Sequence, residues 1–142
     1  YVSSAFIIDS THMMCKAGQI PRRVQVMCDA LLLHPIIVLR KSRMAVGSME
    51  IGSFNHVIKK YVRKVLMNTR NIDRRILFIT YAGMSEKSLR YIQDLVRQYC
   101  PFEKVYLQKA SSAIACNCGA GSFGLLFMKK NSEQISYTEE PE

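Results

Sequence analysis

The chain has 142 residues and a mass of 16.2 kDa, with 49% hydrophobic and 22% charged residues and a formal net charge of +9. That length can bury one continuous core without metals or disulfides, and the composition excludes the disordered and fibrous classes. No apolar run approaches the roughly 18 residues that a membrane span requires.

The charge is unevenly placed. Residues 131–142 hold four acids (Glu133, Glu139, Glu140, Glu142) and no Lys or Arg, so residues 1–130 carry all 20 cations against seven acids, a body of +13. The expected organisation is one domain over 1–130 and an acidic flexible tail over 131–142. A basic body attracts anionic partners at long range, although a solvated basic face is the commoner meaning of such a surface. Five cysteines at uneven spacing (Cys15, Cys28, Cys100, Cys116, Cys118) argue for reduced thiols, not a disulfide framework. With no basic leader ahead of an apolar stretch, a cytoplasmic setting is expected. Tyr1 leads almost at once into an apolar strand, which reads as a piece of a longer protein.

In chain order, SSAFIID over 3–9 has the density of a buried strand. Ser10 and Thr11 offer capping hydroxyls to a short helical turn that Gly18 is suited to stop. Behind Pro21 a helix follows, with Val24, Met27, Cys28 and Leu31 on one side. PIIVLRK and MAVGSMEI read as a hairpin. The segment SFNHVIKKYVRKVLM predicts an amphipathic helix capped by Ser53, with Phe54, Val57, Ile58, Tyr61, Val62, Val65 and Leu66 inward. Its outer face carries Lys59, Lys60, Arg63 and Lys64. RRILFITYA is a buried strand, and SEKSLRYIQDLVRQYC a helix that Pro101 ends. EKVYLQ is a strand, the glycine-rich stretch a turn, and SFGLLFM the last strand. Strands alternating with helices, plus a hairpin, give an α/β fold: a two-layer mixed β-sheet with helices packed on it.

The chemical motifs are sparse. Cys116 and Cys118 form one tight pair, half of a zinc signature, so buried thiols beside a turn are favoured and no metal is expected. GAGSFG has dinucleotide-loop spacing but precedes an apolar strand instead of opening a helix, which defeats that reading. His12, His34 and His56 are scattered, His34 reading as a packed or capping residue and His56 as exposed. No nucleophile, acid or base constellation stands out, so no catalytic residue and no cofactor are assigned. Charge without a recognition motif leaves nucleic acid a disfavoured partner.

Three stretches, taken together, resemble the C-terminal half of the DegV family of fatty-acid-binding proteins. AFIIDSTHMMCKAGQI is similar to that family's strand, helical turn and Lys-Gly-Gly-Arg-Ile signature. LLLHPIIVLRKSRMAVGSMEIGSFNHVIKKYV is similar to its strand, hairpin and following helix. IACNCGAGSFGLLF resembles Ile-Gly-x-His-x-Gly-Pro-Gly and the apolar strand behind it. The resemblance covers residues 5–127 and implies half of a two-domain protein that holds a long-chain fatty acid or related acyl lipid between its domains. It implies a binding protein, not an enzyme, with a fatty-acid kinase subunit as partner in some members. The lipid-binding residues implied are Gln19, Ile20, Met27, Leu31, Ile114, Cys116, Asn117, Cys118 and Gly119. Asn117 stands where the family has its turn histidine, Gln19 where it has the signature arginine, and Ala120 where it has the proline. An amide there donates only a neutral hydrogen bond, about half the strength of a charge-assisted one. The alternative is a degenerate domain of this kind, kept for protein or nucleic-acid interaction through Lys59, Lys60, Arg63 and Lys64.

Overall fold

The computed structural model describes residues 2–18, 20–40 and 43–130. The expected tail at 131–142, Gln19 and the tip of the expected hairpin lie outside the described residues. The elements run β1 (Val2–Ile7), α1 (His12–Lys16), α2 (Arg22–Ala30), β2 (Leu33–Arg40), β3 (Arg43–Ile51), α3 (Phe54–Asn68), β4 (Ile72–Ala82), α4 (Glu86–Tyr99), β5 (Lys104–Lys109), α5 (Ser112–Cys118) and β6 (Ser122–Lys129). The strands form a single six-stranded sheet in the order β3-β2-β1-β6-β4-β5. β4 and β5 pair in parallel across α4, and every other neighbouring pair is antiparallel, so the sheet is mixed as expected.

One face of the sheet is covered by α3 and α4. The 3.6-residue spacing of α3 puts Val57, Ile58, Tyr61, Val62 and Leu66 inward, and α4 contributes Leu89, Ile92, Leu95 and Val96. Strand residues alternate between faces, so Ile7, Ile36, Leu77, Ile79, Phe123, Leu125 and Phe127 meet these helices in one buried cluster. Tyr61 sits at its centre, edge-on to Phe123 with ring centroids 5.3 Å apart. Its hydroxyl donates to the Ala5 carbonyl oxygen at 2.5 Å and accepts from the Leu125 amide at 3.3 Å, bridging β1 and β6. Burial pushes that phenol strongly upward, so it stays protonated as the donor. Tyr61→Phe removes both bonds inside an apolar core and is expected to cost about 1–3 kcal/mol in chemical denaturation. A change below ~0.5 kcal/mol would mean that the two backbone groups find other partners.

The opposite face is covered at one end. Phe6, Ile8 and Ile37 point to it, and Met14 of α1 and Cys118 of α5 close over them, with Ile20, Ile114 and Leu126 partly buried around the edge.

Several local expectations need correction. Residues 112–118, expected as part of a turn, form the helix α5. Ser53 precedes α3 without a side-chain capping bond, whereas Ser85 caps α4 by accepting from the Ser88 amide at 3.2 Å. Thr11 makes no capping bond either; the Ser10 hydroxyl accepts from the His12 amide at 3.3 Å. On α2, Met27 and Leu31 are exposed, at 47% and 56%, and Cys28 is the buried position. This nine-residue helix packs against β2 and α1 over a narrow contact, so little of the expected apolar stripe is covered.

Where β4 begins, the Asp73 carboxylate accepts from the Arg75 amide at 3.1 Å and from its guanidinium. These bonds hold the Asp73 carboxyl well below its ordinary 3.8, at about 2. The folded group is the stronger acid, so the pair's stabilisation is complete above pH 3.8 and is lost as pH falls towards 2. A carbon-detected NMR titration should find the Asp73 midpoint near 2, and Arg75→Gln should return it towards the ordinary value. An unchanged midpoint in that variant would rule out Arg75 as the cause.

Candidate functional site

The run SSAIACNCGAGSFGLLF joins three elements. Ser111 caps α5, its hydroxyl accepting from the Ile114 amide at 3.4 Å. The helix ends at Cys118, and the chain reverses through Gly119 and Gly121, at φ values of +78° and +86°. Those angles favour glycine, and space demands it at Gly121, where a Cβ would lie 2.9 Å from the Asp9 carboxylate. The turn is pinned on both sides, since the Gly121 amide donates to the Ala82 carbonyl oxygen at 2.7 Å and the Ser122 hydroxyl to that of Cys118 at 2.7 Å. It therefore sits over the ends of β1 and β4, against Met13 of α1.

His34 is the second fastening at this end of the sheet. Its ring is buried, with Nδ1 at 2.9 Å from the Asp9 carbonyl oxygen and 3.1 Å from that of Ile8, and Nε2 at 3.1 Å from that of Gly52. It is a packed residue, as the sequence predicts, and it locks the turn before α3 to the end of β1. Burial raises the Asp9 carboxyl above its usual range, partly offset by the charge of His34. Burial also pushes the Cys118 thiol up to about 11, so it behaves as an apolar wall and not as a thiolate.

The expected site residues separate into groups. Ile20, Ile114 and Cys118 meet in one apolar cluster with Phe6, Ile8 and Met14, and Gly119 is buried beside them. Cys116 is exposed on α5. Asn117 lies in the last turn of that helix. Met27 and Leu31 stand exposed on α2, outside the cluster. Among the described residues, no group of three or more His, Cys, Asp or Glu could hold a metal ion.

Sequence reasoning missed the open part of the same sheet face. Beyond α5, the pairings Phe78 with Leu126, Phe78 with Tyr106 and Ser4 with Leu126 place these side chains in one row. Phe78 stacks on Tyr106 with ring centroids 5.4 Å apart, yet the two rings are 39% and 44% exposed. Ile76 and Met128 extend the strip and are also exposed. Thr80, next to Phe78 on this face, has a buried hydroxyl with no hydrogen-bond partner. The signal was present: RILFITYA is apolar at nearly every position, as strands covered on both faces are, and the helix layer covers only one.

Neither a protein-family model nor a curated protein matches the chain. Solved structures do. A DegV family protein from Eubacterium eligens loaded with heptadecanoic acid superposes with a TM-score of 0.70 at 16% identity, over 91% of this chain and 46% of that one. The fatty acid kinase (Fak) B3 protein of Streptococcus pneumoniae, loaded with linoleic acid, gives 0.71 at 9% identity, over 91% and 45%. A fatty-acid-binding DegV family protein from Thermus thermophilus gives 0.68 at 18% identity, over 91% and 46%. The chain spans under half the length of these structures and has the fold of one domain of a DegV family protein. Among the described residues, no helix is long and apolar enough to cross a membrane.

Proposed function

We propose that the chain is the acyl-binding C-terminal half of a two-domain fatty-acid-binding protein. The observation that carries this reading is the uncovered apolar strip of Ile76, Phe78, Tyr106, Leu126 and Met128 in a fold whose solved examples hold fatty acids. An acyl chain laid on the strip gains about 0.8 kcal/mol per buried methylene, so a long chain can be held without a strong head-group clamp. Ile20, Ile114, Cys118 and Gly119 close the end of the strip under α5, and Asn117 offers the head group a neutral amide. Gln19 takes the other head-group position. Met27, Leu31 and Cys116 are contacts for the chain's outer flank or for the second domain.

On this reading the protein binds and presents its ligand and does no chemistry of its own; a fatty-acid kinase subunit is the partner that would act on the acid. The five free thiols suit a reducing cytoplasm. The test is native mass spectrometry of the protein purified without detergent, followed by titration with a C16–C18 fatty acid. A co-purified or titrated one-to-one acyl complex is expected. Absence of both would overturn the reading.

A further inference from the structure

At the other end of β4 from the Gly119 turn, about 30 Å away at roughly 3.3 Å per residue, two hollows adjoin and share Met67. The larger, of about 840 Å³, has Leu66, Ile72 and Tyr99 in its walls and Arg74, Arg75 and Lys130 around them. The smaller, of about 530 Å³, runs beside α3 along Lys60, Arg63 and Lys64. Together they make one trough. Leu66 is buried and Ile72 and Tyr99 half-buried, so they form its floor, while the exposed cations form its lip.

The trough has three acids against six cations. Glu50 is held by Lys64 at 3.4 Å and Asp73 by Arg75, which leaves Glu103 as the third acid. Lys60, Arg63, Arg74 and Lys130 make no ion pair among the described residues. Four uncommitted cations therefore flank an apolar and aromatic floor. A positively charged groove that tracks a backbone, with aromatic surface for bases to rest on, is the arrangement that single-stranded nucleic acids require. An acidic peptide would use the cations and leave the floor without a role.

We propose that this trough binds a single-stranded nucleic acid, with phosphates on Lys60, Arg63, Arg74 and Lys130 and bases against Met67 and Tyr99. The sequence alone disfavours nucleic acid, because it shows charge without a motif; the folded chain adds the groove that brings α3, the start of β4 and the end of β6 together. The site is remote from the acyl strip and does not depend on it.

The test is fluorescence anisotropy of the whole chain with a labelled single-stranded DNA of about 12 nucleotides, within the range that one such groove occupies, over salt from ~0.05 to ~0.2 M. Affinity should fall linearly with salt on a log–log plot. The double variant Lys60→Glu with Arg74→Glu should bind at least about tenfold more weakly at the lower salt and show a slope shallower by about two. Met67→Ala should weaken binding and leave the slope unchanged. Lys87→Glu with Arg90→Glu, on the first turns of α4, alters net charge equally and should have little effect. Equal losses from the two double variants would overturn the proposal in favour of a general charge effect. So would competition by polyglutamate as strong as by unlabelled DNA, which would indicate an acidic protein partner, or no binding at ~0.05 M salt.

Discussion

Gly124→Ala is expected to destabilise the domain by about 3 kcal/mol, roughly 10 °C in Tm. Gly124 lies in β6 opposite Phe6 of β1, and a Cβ there would stand 2.6 Å from the Ala5 carbonyl oxygen and 2.6 Å from the Phe6 ring. The ring could swing away, but the carbonyl belongs to the ladder that joins β1 to β6. Relief would mean parting the two central strands of the sheet. Gly47→Ala is the matched control: its Cβ would meet the Val38 side chain at 3.1 Å on a strand at the sheet edge. That contact can relax, so the cost should be at most about 1 kcal/mol. Thermal melts of both variants decide the matter, and equal shifts would show that the close approach at Gly124 is not what holds the strands.

The largest functional effect should come from the open strip. Phe78→Ser combined with Met128→Ser is expected to weaken binding of a C16–C18 fatty acid at least about tenfold, or ~1.4 kcal/mol. Both side chains are already two-fifths or more exposed, so Tm should move by little. Met27→Ser with Leu31→Ser on α2 removes comparable apolar surface outside the strip. Calorimetric titration of the two pairs separates the cases. A larger loss from the α2 pair would move the acyl chain off the strip and towards α2.

The helix layer was legible because its signal is local: α3 and α4 repeat apolar residues at 3.6-residue spacing over three turns or more, and Leu89, Ile92, Leu95 and Val96 bury where that spacing puts them. The hairpin of β2 and β3 and the packed role of His34 were legible for similar reasons. α5 was not. It is seven residues long, too short for periodicity to declare itself, and its cysteines and asparagine are weak helix formers. The serine before it, which does cap it, was the available clue. Met27 and Leu31 misled for a different reason. A periodic stripe shows that a helix has an apolar side and leaves open whether anything covers that side. The same gap hid the strip itself: Phe78 and Tyr106 look like core in sequence, and their exposure depends on elements elsewhere in the chain.

The place of β1 in the sheet also bears on how the chain reaches its fold. β1 is an interior strand, paired on one side with β2 and on the other with β6, and residues such as Ala5 and Leu125 that face one another are about 120 positions apart. The hairpin β2–β3 and the crossover β4–α4–β5 can form from nearby residues. They remain two separate half-sheets until the last strand arrives between them. On a ribosome, β1 would wait with one edge unpaired while nearly everything else is made, which favours slow closure and exposes that edge to wrong partners. Loss of β6 would remove the joint between the halves and not merely an edge.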